Sequence, residues 1–259
     1  MPYFSYTHIQ LGAITFYTWG FFIGLAIIIC YSLILKEAKK NKIEQKAIIW
    51  LVISVFIGVV LGSRLGYVLQ FPNYYFSNFS EIFKINAGGL TFHGGLIGSL
   101  LAGWIYFINQ KKRLKKSFLE IADIFALIIP LGIFIGRIGC SLINDHQGAV
   151  TSLPWGILWP DGILRHPVAE YLVLNGLIMF LVFWFLRKRI KNQVIFFIIF
   201  LTWHSIFRFL LDFTRVTDTC LADPQYWGLF MSQWISLLVL FFIFFGIILK
   251  RSVKNRIKK

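Results

Sequence analysis

Seven apolar stretches, at about 16–35, 47–70, 91–109, 121–140, 168–186, 194–213 and 231–249, dominate this 259-residue chain and restrict what it can fold into. Each is near the ~20 residues that a helix needs to cross a hydrocarbon core. Hydrocarbon offers no water to the backbone, so spans of this length are expected as helices that satisfy their own N–H and C=O groups. A chain that is 58% hydrophobic and 18% aromatic, with a mean hydropathy of +0.72, is too apolar for a soluble domain of this size. The expected fold is therefore an all-α membrane protein with seven transmembrane helices. Residues 1–259 form one polytopic domain, with short segments at about 71–90, 141–167 and 214–230 making a small head on one side.

The net charge of +15 does not point to nucleic acid, because the basic residues are sorted along the chain instead of gathered into a patch. Five lie between Lys36 and Lys46, five between Lys111 and Lys116, four between Arg187 and Lys191 and six between Lys250 and Lys259, together 20 of the 26. These clusters fall in every second connection. The positive-inside rule then places them and the C-terminus in the cytoplasm, and the N-terminus with the three head segments outside. No basic region precedes the first apolar run and no small-residue cleavage site follows it, so no removable signal peptide is read. Cys30, Cys140 and Cys220 form no CxxC or zinc spacing, and sequence gives no distance to support a Cys140–Cys220 disulfide. No internal repeat is visible.

Six basic residues stand outside the cytoplasmic clusters: Arg64, Lys84, Arg137, Arg165, Arg208 and Arg215. A charge near hydrocarbon costs several kcal/mol unless it meets water, an acid or an anionic ligand. Five of the six are arginine, whose planar fork of donors suits phosphate or carboxylate. The structural alternative pairs them with Asp145, Asp212 or backbone carbonyls. His204, Arg208, Asp212 and Arg215 recur at i, i+4, i+8 and i+11, which puts them on one helix face that must look into the bundle or a wet cavity. At the entry to the third span, Gly88-Gly89-Leu90-Thr91-Phe92-His93-Gly94-Gly95-Leu96-Ile97-Gly98 surrounds a histidine with glycines. Glycines let backbone amides approach a ligand or a neighbouring helix, and histidine titrates near neutrality. His146, His166 and Asp145 could be grouped as metal ligands, but their spacing is not a recognised one and no metal is expected.

Gly89 to Gly98, Gly62-Ser63-Arg64-Leu65-Gly66-Tyr67-Val68-Leu69, Gly136-Arg137-Ile138-Gly139, Arg165-His166-Pro167 and Phe207-Arg208-Phe209 with Asp212 and Arg215 resemble the prolipoprotein diacylglyceryl transferase family. Ser232-Gln233-Trp234-Ile235-Ser236 is similar to its last span, and the ordered likeness runs from about residue 10 to 240. The resemblance implies a multi-pass enzyme of the bacterial inner membrane, with a periplasmic N-terminus and head. It moves the diacylglyceryl group of phosphatidylglycerol to the thiol of a prolipoprotein's lipobox cysteine, releasing glycerol phosphate. It implies no cofactor, with phosphatidylglycerol and the lipobox peptide as partners; a monomer is expected. By the same resemblance Arg137 and Arg208 grip the phosphate, Arg64 supports the headgroup site, and His93 is a candidate base. His93 is preferred to Asp145 because an aspartate of ordinary pKa is a poor match for a thiol proton, with His93 as an orienting hydrogen-bond donor the other reading. Trp19, Gly94, Gly95, Cys140, His204 and Arg215 complete the expected substrate site.

The chain departs from the family pattern where Cys140 replaces asparagine, Asp145 replaces glutamate, and Trp19 and His204 stand at positions where tyrosine is usual. Leu172 replaces an acidic residue, with Glu170 nearby, and the arm from Thr151 to Arg165 is short. These changes leave open a variant acceptor or lipid, or an inactive paralogue that binds lipid or lipoprotein. A transporter fits less well because no repeat symmetry appears in the hydropathy. A retinal-type receptor lacks its lysine, since 231–249 contains none.

Overall fold

Helix ends follow the residues that interrupt the apolar stretches. The computed structural model describes residues 1–12, 14–84, 89, 91–190, 194–219 and 222–257. A hairpin, β1 (His8–Leu11) and β2 (Ile14–Tyr17), leads into α1 (Thr18–Lys40) and α2 (Gln45–Gln70). The short α3 (Pro72–Ser77) and a 3-10 turn at Phe79–Phe83 precede α4 (Phe92–Leu114) and α5 (Phe118–Ile143). A second hairpin, β3 (Ile157–Leu158) and β4 (Leu164–Arg165), is followed by α6 (Val168–Leu186) and α7 (Ile195–Leu211). A third, β5 (Gln225–Tyr226) and β6 (Leu229–Phe230), is followed by α8 (Met231–Ile257).

All seven expected stretches are helical, and five helices are long and apolar enough to cross a membrane: Thr18–Lys40, Gln45–Gln70, Phe118–Ile143, Val168–Leu186 and Ile195–Thr214. Gly94, Gly95, Gly98 and Gly103 dilute α4, and in α8 the described residues give an apolar helix over Met231–Gly246. The regular part of α7 also stops earlier than expected, at Leu211. Asp212–Thr214 tightens into a 3-10 turn and Arg215 is extended, so the polar stripe does not run along one continuous α-helix.

The chain divides into two compact units, Leu33–Ile121 and Met1–Ser32 with Ala122–Lys259. In the first, α2 and α4 pack through small residues. Gly58, Gly62 and Gly66 of α2 face Gly98, Gly94 and Ala102 of α4 so closely that a methyl group on Gly62 or Gly98 would meet a backbone carbonyl. Helices associate in lipid by such close backbone approach, because lipid provides no hydrophobic drive to bring them together. Arg64, buried at 6% exposure, ties down the following loop. Its Nε donates to the Ile82 carbonyl at 2.9 Å, Nη1 to Gly89 at 3.0 Å and Nη2 to Glu81, while Tyr67 and Tyr75 flank the guanidinium.

The second unit is centred on α5, α6 and α7. Ala126, Met179, Phe183 and Phe196 form a buried cluster, and Val168, Leu172 and Leu211 a smaller one. Polar contacts at helix ends are also satisfied within it. Asp123 of α5 accepts the Phe197 N–H at 2.8 Å, serving one of the orphan donors of the first turn of α7. Trp203 of α7 donates to Asn175 of α6 at 2.8 Å. At the far end of α5, the Tyr6 N–H and the Ser5 hydroxyl take the carbonyls of Leu142 and Ile143, at 2.8 and 2.9 Å. Gln233 of α8 bonds the Phe209 carbonyl at 3.1 Å and so joins α8 to α7.

Candidate active site

The end of α5 is built to reverse the chain. Asn144 has φ +53°, the left-handed conformation that asparagine tolerates better than most residues, and its amide donates to the Phe4 carbonyl at 3.2 Å. The reversal returns Asp145 and His146 over the last turns of α5, where Arg137 and Cys140 share a face at i, i+3. Arg137 Nη1 is 2.8 Å from His146 Nε2 and 3.9 Å from Cys140 Sγ, and His146 Nδ1 bonds the Asp145 carboxylate. A guanidinium only donates and a carboxylate only accepts, so the geometry sets the tautomer: Nδ1 carries the hydrogen and Nε2 presents its lone pair. Trp19 lies beside this last turn, its Cα against Gly139.

The direct Arg137–Asp145 ion pair expected as the structural alternative is not what forms. His146 stands between them, and among the described residues no carboxylate bonds Arg137. The Arg208–Asp212 pair does form. Asp212, fully buried, has Oδ1 3.2 Å from Arg208 Nη2 and 3.5 Å from Arg215 Nη1, neither in good hydrogen-bond alignment, while its Oδ2 accepts from Ser232. Arg215 also pairs with Asp223 and lies over the Phe230 ring at 4.9 Å. His204, one turn before Arg208, stacks on Phe200 with ring centroids 5.7 Å apart. Arg137 is close enough to His204 and Arg208 for its charge to act on both.

Short backbone pairings hold these two groups in register. Gly148 pairs with Arg215, Ala149 donates to the Thr214 carbonyl at 2.8 Å, and Val150 pairs with Arg165. Gly148 is needed here because an added Cβ would run into the His166 carbonyl. Arg165, at 1% exposure, is not part of the arginine group. It forks onto Asp218 at 2.9 and 3.0 Å and reaches Asp161 and the Gly148 carbonyl, both at 3.2 Å. That fork holds the Asp218 carboxyl below the usual carboxylate range. A lowered folded-state pKa contributes stability above the unfolded value, about 3.9, and the contribution is lost as the pH falls through the folded value. The stability difference between the wild type and Asp218→Asn is therefore expected to stay constant from pH 7 to 5 and shrink below about pH 4. A difference in unfolding midpoint that ignored pH would deny the pair its role.

Cys140, Asp145 and His146 bring three potential metal-ligand atoms within 4.8 Å of one another, whereas His166 lies apart, 3.3 Å from the Tyr171 hydroxyl. The guanidinium of Arg137 stands on the lone pair a metal would need, so a cation would have to displace a positive group and remain beside it. The residues do not fit a metal. Cys140 is a free thiol, and Cys220 lies outside the described residues, so the disulfide gains no support.

The remaining expected residues belong to the other unit. Arg64 is occupied with loop carbonyls, and Gly94 and Gly95 lie against Gly62 and Ser63 of α2, where helix packing accounts for their missing side chains. His93 begins the first turn of α4, and its side chain lies outside the described residues. His146 is the one group at the centre of the site that sequence reasoning considered only as a metal ligand. Its adjacency to Asp145 was the available signal. Glu170, beside the substituted Leu172, accepts from Ser141 at 2.8 Å, next to Cys140 in the chain.

Residues 7–249 match the family model described as prolipoprotein diacylglyceryl transferase. Relatives named phosphatidylglycerol–prolipoprotein diacylglyceryl transferase include one from Geobacter sulfurreducens, 35% identical over 240 residues that cover 89% of this chain and 91% of the relative. Another, from Bordetella avium, is 37% identical over 246 residues, covering 91% and 90%. A third, from Polynucleobacter necessarius, is 33% identical over 270 residues, covering 99% and 98%.

Proposed function

The chain belongs to the prolipoprotein diacylglyceryl transferase family, and we propose from that premise how its arginines serve the reaction. The protein is a multi-pass membrane transferase that moves the diacylglyceryl group of phosphatidylglycerol to the thiol of a prolipoprotein's lipobox cysteine, releasing glycerol phosphate. Sulfur attacks a glycerol carbon, the carbon–oxygen bond to phosphate breaks, and negative charge grows on the departing phosphate. Donors already aimed at that charge lower the barrier.

One observation carries the assignment of the clamp. Among the described residues Arg137 of α5 donates to an imidazole and a thiol, which leave its charge unneutralised, and it lies near Arg208 of α7. A phosphodiester between the two would relieve their mutual repulsion and accept charge-assisted bonds from both. Arg215 and the buried Asp212 hold Arg208 in place, and Trp19, Cys140 and His204 line the same site. Arg64 orders the loop before α4 within its own unit.

Seven spans, with the four basic clusters in the cytoplasm and the head in the periplasm, follow from the charge pattern. On this reading the protein sits in the bacterial inner membrane as a monomer, takes lipid laterally and receives the lipobox from the periplasmic side. Purified protein given phosphatidylglycerol vesicles and a lipobox peptide is expected to yield a peptide heavier by one diacylglyceryl group, together with glycerol phosphate. If neither product forms while an active relative produces both, the chain is an inactive paralogue.

A further inference from the structure

We propose that His146, held by Asp145, takes the proton from the incoming thiol at Nε2. The proposal rests on diacylglyceryl transfer being the reaction. Three features of the site support it. The Asp145 carboxylate fixes the hydrogen on Nδ1, which leaves Nε2 as the basic atom and will stabilise the imidazolium once it forms. Nε2 points at Arg137, the residue assigned to the lipid phosphate, so the base and the clamp are adjacent. The imidazole retains 29% exposure while Cys140 has only 5%, so an external thiol can reach His146 and the protein's own thiol is shielded.

The contact between Arg137 and Nε2 also gives the step an order. Before lipid binds, an Arg137 N–H occupies the lone pair and the base is masked. A phosphate draws the guanidinium into stronger, charge-assisted bonds and frees Nε2. The thiolate is then generated only when its electrophile is present. The S–H proton passes to Nε2 and the sulfur lone pair forms the bond to the glycerol carbon. The carbon–oxygen bond breaks with its electron pair going to the phosphate, and the imidazolium returns its proton to the departing glycerol phosphate or to water. Among the described residues the charged and titratable groups in contact with the imidazole or grouped with it are Arg137 and Cys140 from α5 and Asp145 beside it.

The test is the rate of transfer from phosphatidylglycerol vesicles to a lipobox peptide between pH 5.5 and 9, for the wild type, His146→Gln and Asp145→Asn. Glutamine can still accept a bond from Arg137 through its amide oxygen but cannot take a proton. The wild type should show an acid limb that His146→Gln lacks. His146→Gln should be about 10²-fold slower at pH 7, and its deficit should narrow as the thiol, with a reference pKa of about 8.5, ionises unaided. Asp145→Asn keeps an acceptor for Nδ1 without the charge, and should shift the acid limb. A wild-type rate and profile in His146→Gln would overturn the proposal. So would a loss equal at every pH, which would mean that His146 only orients Arg137. If His146→Gln fails to fold, an unchanged profile in Asp145→Asn refutes the pair just as directly. Failure of the wild type to transfer at all would remove the reaction itself, a result distinct from any of these.

Discussion

Arg137→Ala is expected to lower kcat/KM about 10³-fold while leaving the protein inserted and folded, because on the proposed clamp its guanidinium holds a phosphate whose negative charge grows in the transition state. The structure makes it the cleaner of the two clamp substitutions. Among the described residues no carboxylate bonds Arg137, so its removal leaves no buried acid without a partner. Arg208→Ala should cost a similar factor, but it also takes one of two guanidinium partners from Asp212, which is fully buried. Breaking a buried ion pair costs about 3–5 kcal/mol when nothing replaces it. Arg215 and Ser232 should retain part of that here, so Arg208→Ala requires a thermal unfolding measurement beside its kinetics. Lysine at either position should remain about 10²-fold impaired, since a point charge does not reproduce the planar fork on phosphate. Near-full activity in Arg137→Ala would remove the clamp.

Gly98→Val should be the most damaging substitution for stability, expected to cost about 3 kcal/mol or more, because its side chain would be driven into the Gly58 carbonyl and the Gly62 backbone. Gly62→Val should behave alike, meeting the Gly94 carbonyl. Backbone cannot swing aside as a flexible side chain can, so α2 and α4 would have to separate along their length. Gly24→Ala in α1 is the control, since nothing lies within 4 Å of the added carbon, and it should be neutral or slightly stabilising. Unfolding in detergent, followed by helical content and by protease access to the loop that Arg64 holds, would measure all three. Equal stability of Gly98→Val and Gly24→Ala would mean that the seam carries no weight.

The helices were legible in the sequence because length and hydropathy decide them locally: each expected stretch lies on a helix, within a few residues at most ends. The Arg208–Asp212 pair was legible for the same reason, since i, i+4 contacts need only a helix. What the sequence hid depends on chain reversal. Asn144 permits the left-handed conformation without dictating it, and without that turn His146 has no reason to meet Arg137, nine positions earlier. The expected face through Arg215 failed because α7 tightens into a 3-10 turn and the next residue, Arg215, is extended and pairs with Gly148, a partner distant in sequence. Gly94 and Gly95 illustrate the opposite difficulty. Their motif was plain, but a glycine that admits a ligand and one that admits a helix look alike in sequence.

The seam between α2 and α4 has a further consequence, in entropy. Glycine has no rotamers to lose, so pairing through Gly58, Gly62, Gly94 and Gly98 immobilises almost no side-chain freedom, whereas a seam of leucines would forfeit about 0.5–1 kcal/mol for each one ordered. The large apolar residues of the same helices, among them Leu61, Leu65, Leu69, Ile97, Leu101 and Ile105, are left on the outside. There they can keep moving against fluid acyl chains, and the bilayer takes the place that a packed interior fills in a water-soluble protein.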